Sequence, residues 1–167
     1  MSSDFSMTKS VGRISAISIS AKKGIPKSNV KSAELIKDYG IKGDAHAGNW
    51  HRQVSFLAME SIDTMRQKGL PALRPGAFAE NITTEFIDVP NIAIGTKVQL
   101  GNTAIIEITQ IGKECHSKCA IFDQVGDCVM PREGIFGIVI KGGIIEMGDS
   151  FKIISIPIKE TTQNDSL

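Results

Sequence analysis

The sequence predicts a mainly β protein: a closed or nearly closed β-barrel with hairpins and one or two peripheral helices. Three observations support this fold class: short stretches in which apolar and polar residues alternate, glycine-rich turns between them, and very little helical periodicity. Isoleucine and serine alternate over residues 12–20, which indicates the first strand. Residues 97–100 and 106–109 alternate in the same way on either side of Gly101-Asn102, a typical hairpin turn. They are therefore predicted to pair.

The last part of the chain repeats the pattern of strands and glycine turns. Residues 137–140 and 144–147 are separated by Gly142-Gly143, which predicts a second hairpin. Gly148-Asp149 then turns the chain into a final strand over residues 151–156.

One helix is predicted around residues 58–68. Apolar side chains recur there at helical spacing, and Lys68-Gly69 is typical of a helix C-terminus. The apolar stripe is expected to face the core and to carry no chemistry. Residues 22–29 are predicted to form a surface loop.

Length and composition indicate one domain. The 167 residues suffice to bury a core, and we expect a single barrel domain over residues 10–157 with flexible termini at 1–9 and 158–167. Nineteen basic residues against eighteen acidic ones give a net charge of +1, with no basic run. A nucleic-acid partner is therefore not expected.

Cysteine usage and hydropathy predict a cytoplasmic protein. Three cysteines are too few, and odd in number, for a disulfide framework. Residues 1–10 lack the apolar segment of a signal peptide, and no apolar run is long enough to span a membrane.

All three cysteines fall in one short segment, where thiolate chemistry is favoured. Cys115 and Cys119 lie among Lys113, His116 and Lys118, and neighbouring cations lower the pKa of a thiol. A thiolate attacks electrophiles and binds soft metals. The alternative is that a cysteine is simply a buried small residue, which applies most to Cys128, flanked by valine and methionine. A structural zinc site is disfavoured because C-x3-C followed by a lone cysteine lacks the paired spacing of zinc ribbons.

Three other segments offer candidate ligand-binding residues. His46, His51 and Arg52 lie in or after the glycine-rich stretch 40–48 and could donate to a phosphate or another oxyanion, or the loop could be purely structural. Glu80-Asn81 is expected to tie neighbouring loops through hydrogen bonds to the backbone. Arg132 could bind an anion or pair with a neighbouring carboxylate.

These segments together resemble the MOSC domain, the family named for the C-terminal domain of molybdenum cofactor sulfurases. Their order and spacing are similar over nearly the whole chain. The matching pieces are residues 43–46, 52–55, 76–83, 94–96, 112–119 and 130–136.

The resemblance implies a β-rich barrel in which a cysteine thiolate coordinates the molybdenum of a pterin cofactor (molybdopterin) or carries sulfur as a persulfide. Amidoxime-reductase relatives have a cysteine after a Ser-Arg pair, similar to Ser117-Lys118-Cys119, whereas stand-alone bacterial members have one that corresponds better to Cys115. Either cysteine is a candidate metal ligand, and Cys119 is slightly favoured. His46, Arg52, Lys113, His116 and Arg132 are the candidate cofactor-binding residues.

The resemblance leaves three functions open. The first is a molybdenum-dependent oxidoreductase that reduces N-hydroxylated compounds with electrons from an external reductase. The second is a persulfide carrier that delivers sulfur to molybdenum cofactor or another metal-sulfur centre, with a molybdoenzyme or a cofactor-synthesis protein as its partner. The third is a non-catalytic interaction barrel. The pyridoxal-phosphate-dependent desulfurase domain of the full sulfurases has no counterpart in the sequence, so pyridoxal phosphate is not expected.

Overall fold

The structure, a computed structural model, describes residues 10–113, 126 and 128–158. Eleven strands and two α-helices are formed by these residues, with a short 3-10 turn at Val89–Asn91. The elements in chain order are β1 (Val11–Ile19), β2 (Ser28–Val30), β3 (Ser32–Ile36), β4 (Gly40–Ile41), β5 (Val54–Ala58), α1 (Met59–Gln67), β6 (Ile82–Glu85), β7 (Lys97–Leu100), β8 (Ala104–Ile111), α2 (Met130–Glu133), β9 (Ile135–Lys141), β10 (Gly143–Glu146) and β11 (Ser150–Ser155).

Seven strands close into a barrel. The order around it is β1, β6, β5, β9, β8, β7 and β11, and β11 pairs with β1 to complete the ring. All neighbours are antiparallel except β5 and β6, which the crossover through α1 makes parallel. The predicted fold class is confirmed. So are the hairpin of β7 and β8 around Gly101 and the helix at Met59–Gln67.

The second predicted hairpin is wrong. Strands β9 and β10 do not pair with each other; β10 pairs with β3 in a separate three-stranded sheet. A Cβ on Gly142 would lie 2.6 Å from the Leu35 carbonyl oxygen, and one on Gly143 would lie 2.2 Å from Thr103 Oγ1. The two glycines allow close contact between the sheets, and neither has the positive φ of a tight hairpin turn.

Strand β5 has apolar neighbours on both faces, which explains why all five of its residues are buried. Val54 and Phe56 point into the barrel, where Phe56 packs edge-to-face on Phe151 at 5.7 Å. Leu57 belongs to a second apolar cluster outside the barrel, formed with Ile62 and Met65 of α1, Phe78, Val129, Met130 and Phe136. This outer cluster joins α1, α2 and the loop before β6, and the candidate site lies beside it.

No helix in the described ranges is long and apolar enough to cross a membrane.

Candidate functional site

A cavity of about 240 Å³ opens between the loop that follows β4, the loop before β6, and α2. Basic, aromatic and small polar side chains share its wall with a thiol, and no carboxylate is among the described residues that line it. The lining residues are His46, Trp50, Arg52, Ser55, Ala77, Phe78, Ala79, Asn81, Lys113, Cys128, Met130 and Phe136.

His46 is held from behind by a buried ion pair. Lys27 Nζ lies 2.7 Å from Asp44 Oδ1 and 3.1 Å from His46 Nδ1, and both members of the pair are inaccessible to solvent at their side chains. Asp44 also accepts hydrogen bonds from the backbone N–H groups of Ser20 (3.1 Å) and His46 (3.2 Å). The carboxylate therefore holds the histidine backbone and the lysine together.

Burial and the neighbouring cations keep the ring of His46 neutral. Burial is the largest cause that lowers the pKa of His46, and the positive charge of Lys27 lowers it further, whereas Asp44 acts in the opposite direction. Burial by itself would raise the pKa of Asp44, but the hydrogen bonds from Lys27 and Ser20 outweigh it, and the net pKa of this carboxyl is lowered. The ion pair is thus Lys27–Asp44, and His46 beside it is not a cation at neutral pH.

Arg52 is held by aromatic faces instead of by a carboxylate. Its guanidinium carbon lies 4.6 Å from the ring centroid of Trp50 and 5.8 Å from that of Phe136. Trp50 is fixed in turn by a hydrogen bond of 2.8 Å from its Nε1 to the His46 carbonyl. In the described part of the chain, the buried Nε of Arg52 has no acceptor within hydrogen-bond distance. A buried, unsatisfied donor on a cation is suited to bind an anion that enters the cavity.

The floor of the cavity is rigid because Asn81 links three segments. Its Oδ1 accepts hydrogen bonds from the backbone N–H of Ser55 (3.0 Å) and from the Ser55 hydroxyl (3.1 Å), and its Nδ2 donates to the Ser18 carbonyl (3.1 Å). Next to it, the buried Glu80 carboxylate accepts hydrogen bonds from the backbone N–H groups of Gly76 and Phe78. The predicted loop-tying role of Glu80-Asn81 is therefore confirmed.

The structure brings together only some of the predicted site residues. His46, Arg52 and Lys113 line the cavity. Arg132 lies exposed on α2 and is not among the described lining residues, whereas Met130 of the same helix packs in the outer cluster. Its role as a cofactor-binding residue stays a prediction. Cys115, His116 and Cys119 lie outside the described residues.

Three contributors were missed by sequence reasoning. Cys128, for which a buried apolar role was left open as an alternative, packs beside the outer cluster, is half-buried and lines the cavity. Lys27 lies in a predicted surface loop and yet is buried, and no local pattern marks it. Trp50 could have been found, because a single tryptophan two residues before Arg52 is suited to stack on the guanidinium.

Fold and cavity together define a closed β-barrel protein with a basic pocket that contains a thiol. The sequence profile of the MOSC domain matches residues 43–152, most of the chain, and the protein belongs to this family. The resemblance seen in the sequence is therefore confirmed.

Solved structures share the fold at low identity. The YuaD protein from Bacillus subtilis is 18% identical with a TM-score of 0.74, and the match covers 88% of this chain and 97% of that chain. YiiM from Geobacillus stearothermophilus is 19% identical with a TM-score of 0.67, over 86% of this chain and 75% of that one. YiiM from Escherichia coli is 16% identical with a TM-score of 0.62, over 87% and 71%. No protein with a curated description matches the chain by sequence.

Proposed function

We propose that this protein binds molybdenum cofactor in the basic cavity and uses a cysteine thiolate as a molybdenum ligand in the reduction of N-hydroxylated compounds. The observation that carries the proposal is the convergence of His46, Arg52 and Lys113 on one wall of the cavity. Lys113 lies far from His46 and Arg52 in sequence, and an anionic ligand would use the donors of all three residues.

The described residues fit the phosphate end of the pterin. Arg52 presents a cation with an unsatisfied buried Nε, Lys113 adds a second positive charge, and no described carboxylate opposes them in the wall. The volume of about 240 Å³ is just below the ~300–1,000 Å³ of typical ligand pockets, which suits one end of the cofactor.

The donor set also fits a metal that arrives with its own ligands. Among the described residues, no group of three or more His, Cys, Asp or Glu side chains could hold a metal ion. A pterin cofactor binds molybdenum through its own sulfur atoms, and the protein then needs to supply a thiolate. Cys119 or Cys115 is the proposed source, since Lys113 and Lys118 lie close to both in sequence.

The protein's own residues would bind and orient the cofactor and stabilise the thiolate. When bound, the cofactor supplies a metal centre that changes oxidation state and accepts oxygen. Reduction of an N-hydroxylated base consumes two electrons and two protons, breaks the N–O bond, and releases the base and water. The electrons would come from an external reductase. A cytoplasmic location, predicted from the cysteine content, would keep the thiols reduced.

A persulfide carrier is the second candidate function, and the same wall supports it. A persulfide is anionic near neutral pH, and Arg52 and Lys113 would stabilise it as they would a thiolate. The outer sulfur, received from a donor persulfide by sulfur exchange, would pass to molybdenum cofactor or another metal-sulfur centre with two electrons from an external thiol reductant, and the cysteine would return as a thiolate. In this case the cavity holds the acceptor only transiently.

Elemental analysis and intact mass of the protein, purified from a host that makes molybdenum cofactor, distinguish the functions. Molybdenum close to one atom per chain supports the oxidoreductase. A gain of about 32 Da on one cysteine, without molybdenum, supports the persulfide carrier. If neither is found, the proposal is overturned and the protein is an interaction barrel.

Alkylation at mildly acidic pH identifies the active thiol. We expect Cys119 or Cys115 to be labelled before Cys128, because Cys128 is half-buried beside Val129 and Met130. Serine at the active position should abolish molybdenum retention or persulfide formation without unfolding the barrel. Serine at Cys128 should leave molybdenum retention and persulfide formation unchanged. First labelling of Cys128 would transfer the role to the thiol that the structure places in the cavity wall.

A further inference from the structure

We propose that Lys27 is a positioning residue that holds His46 as the neutral Nε2–H tautomer, so that the ring presents a hydrogen-bond donor, and neither a base nor a cation, to an anion in the cavity. The proposal rests on the proposed function only for the identity of the anion. The arrangement of Lys27, Asp44 and His46 is independent of any ligand.

The hydrogen bonds of the lysine determine which nitrogen of His46 carries the proton. An ammonium group has three N–H donors and no acceptor. Lys27 Nζ lies 2.7 Å from Asp44 Oδ1, 3.1 Å from His46 Nδ1 and 3.3 Å from Ser20 Oγ. All three donors are therefore used, and Nδ1 of His46 must accept. The single proton of the neutral ring is then on Nε2.

A protonated His46 is incompatible with the same geometry. Nδ1–H would point at the ammonium 3.1 Å away, which places two donors and two like charges in contact in a buried setting. The Asp44 carboxylate does not relieve this, because its Oδ2 is 3.9 Å from Nδ1 and it is already paired with Lys27.

The orientation of the ring follows from contacts at both ends of the residue. The His46 N–H donates to Asp44 Oδ2, and the His46 carbonyl accepts from Trp50 Nε1. Nδ1 points back to the buried lysine, so Nε2, on the other side of the ring, is directed away from it. His46 is also 28% exposed at its side chain and lines the cavity. The Nε2–H group is thus available to a ligand beside Arg52.

The other charged groups around His46 act in the same sense. Lys113 and Lys23, like Lys27, lower the pKa of His46, and Asp44 is the group that raises it. Arg52 adds a further cation to the wall. The ring therefore remains neutral at and above neutral pH, and its donor does not depend on protonation.

Two-bond ¹H–¹⁵N correlation spectra of the full-length ¹⁵N-labelled protein test the tautomer directly. The chain has three histidines, and loss of one set of signals in His46→Gln assigns the ring. We expect the Nε2–H pattern from neutral to mildly basic pH. An Nδ1–H pattern, or a cationic His46 at neutral pH, in the wild-type protein would overturn the inference without any Lys27 variant.

Two variants separate positioning from simple packing. Lys27→Met should shift the pKa of His46 upward and lose the tautomer preference, because Asp44 then faces the ring without its lysine. Asp44→Asn should keep the Nε2–H tautomer of His46 and shift the pKa of His46 downward. This variant tests the proposal by itself if Lys27→Met does not fold. The exposed His51, hydrogen-bonded to Gln110, is the internal control and should not change. Equal shifts in both variants would contradict the proposal.

The outcomes stay distinguishable from those of the proposed function, since the spectra need no cofactor. An Nε2–H His46 in a protein that retains neither molybdenum nor persulfide would refute the function and leave this inference standing. A molybdenum-loaded protein with an Nδ1–H His46 would support the proposed function and refute this inference.

Discussion

Replacement of Arg52 by methionine should weaken ligand binding while leaving the stability of the fold almost unchanged. The guanidinium contacts two aromatic faces, each contributing about 0.5–1 kcal/mol at a partly exposed site. Against this, a buried donor without an acceptor, here Nε, costs about 1–3 kcal/mol. Methionine keeps much of the apolar stem and removes the unsatisfied donor. The two effects nearly cancel, and the free energy of unfolding should change by less than about 1 kcal/mol.

The loss of ligand affinity in Arg52→Met is larger than the loss of stability, because the guanidinium of Arg52 is expected to donate hydrogen bonds to the bound anion. A hydrogen bond to a charged group contributes about 1.5–3 kcal/mol, which corresponds to a loss of affinity of roughly 10- to 150-fold. Trp50 is the only tryptophan of the chain and lies in the cavity wall, so its fluorescence reports binding of released molybdenum cofactor. Urea unfolding followed by circular dichroism measures the stability in parallel.

Arg74→Met is the matched control. Arg74 is exposed, is not among the described lining residues, and its loss changes the net charge by the same amount. It should affect affinity by less than about 2-fold, since an exposed charge is screened by solvent and salt. Equal losses in the two variants would show that only net charge matters. A large loss of stability in Arg52→Met would show that Arg52 supports the fold, and either result would refute our reasoning.

Three further predictions concern the scaffold. Gly112→Ala should lower the melting temperature more than Gly148→Ala. Both positions have positive φ, which costs an alanine about 1–2 kcal/mol, but only the Cβ at Gly112 would meet a backbone atom, the Pro131 carbonyl oxygen at 2.1 Å. Equal shifts of the melting temperature in scanning calorimetry would contradict this prediction. Burial raises the pKa of Glu80, so the stability of the wild type relative to Glu80→Gln should fall as pH rises from 4.5 through the folded-state pKa. Urea titrations in which the difference in unfolding free energy between the two proteins stays constant or grows with pH would contradict this. Phe151→Ala should destabilise the barrel by about 3–5 kcal/mol in the same assay, because the ring of Phe151 is fully buried in β11, the strand that closes the barrel, and packs on Phe56. A loss of stability below about 1 kcal/mol would mean that the core collapses around the gap.

Features that depend on neighbours along the chain follow from the amino-acid sequence alone. Alternation around Gly101 predicts the hairpin of β7 and β8, and helical spacing predicts α1, because pairing and burial there follow from local periodicity. His46 and Arg52 were identified from residue type and from the glycines nearby as candidate anion-binding residues, and both line the cavity. The order of the family's motifs was sufficient to identify the MOSC domain.

Contacts between distant segments were decided only by the tertiary structure. Gly142-Gly143 has the local signature of a hairpin turn, but β10 pairs with β3, more than a hundred residues earlier, because the glycines let the two sheets approach closely. The structure, and not the sequence, shows that Arg132 lies exposed on α2. Lys27, which carries no local signal, was buried against Asp44 and His46, and a buried ammonium must donate to whatever acceptors the fold places around it.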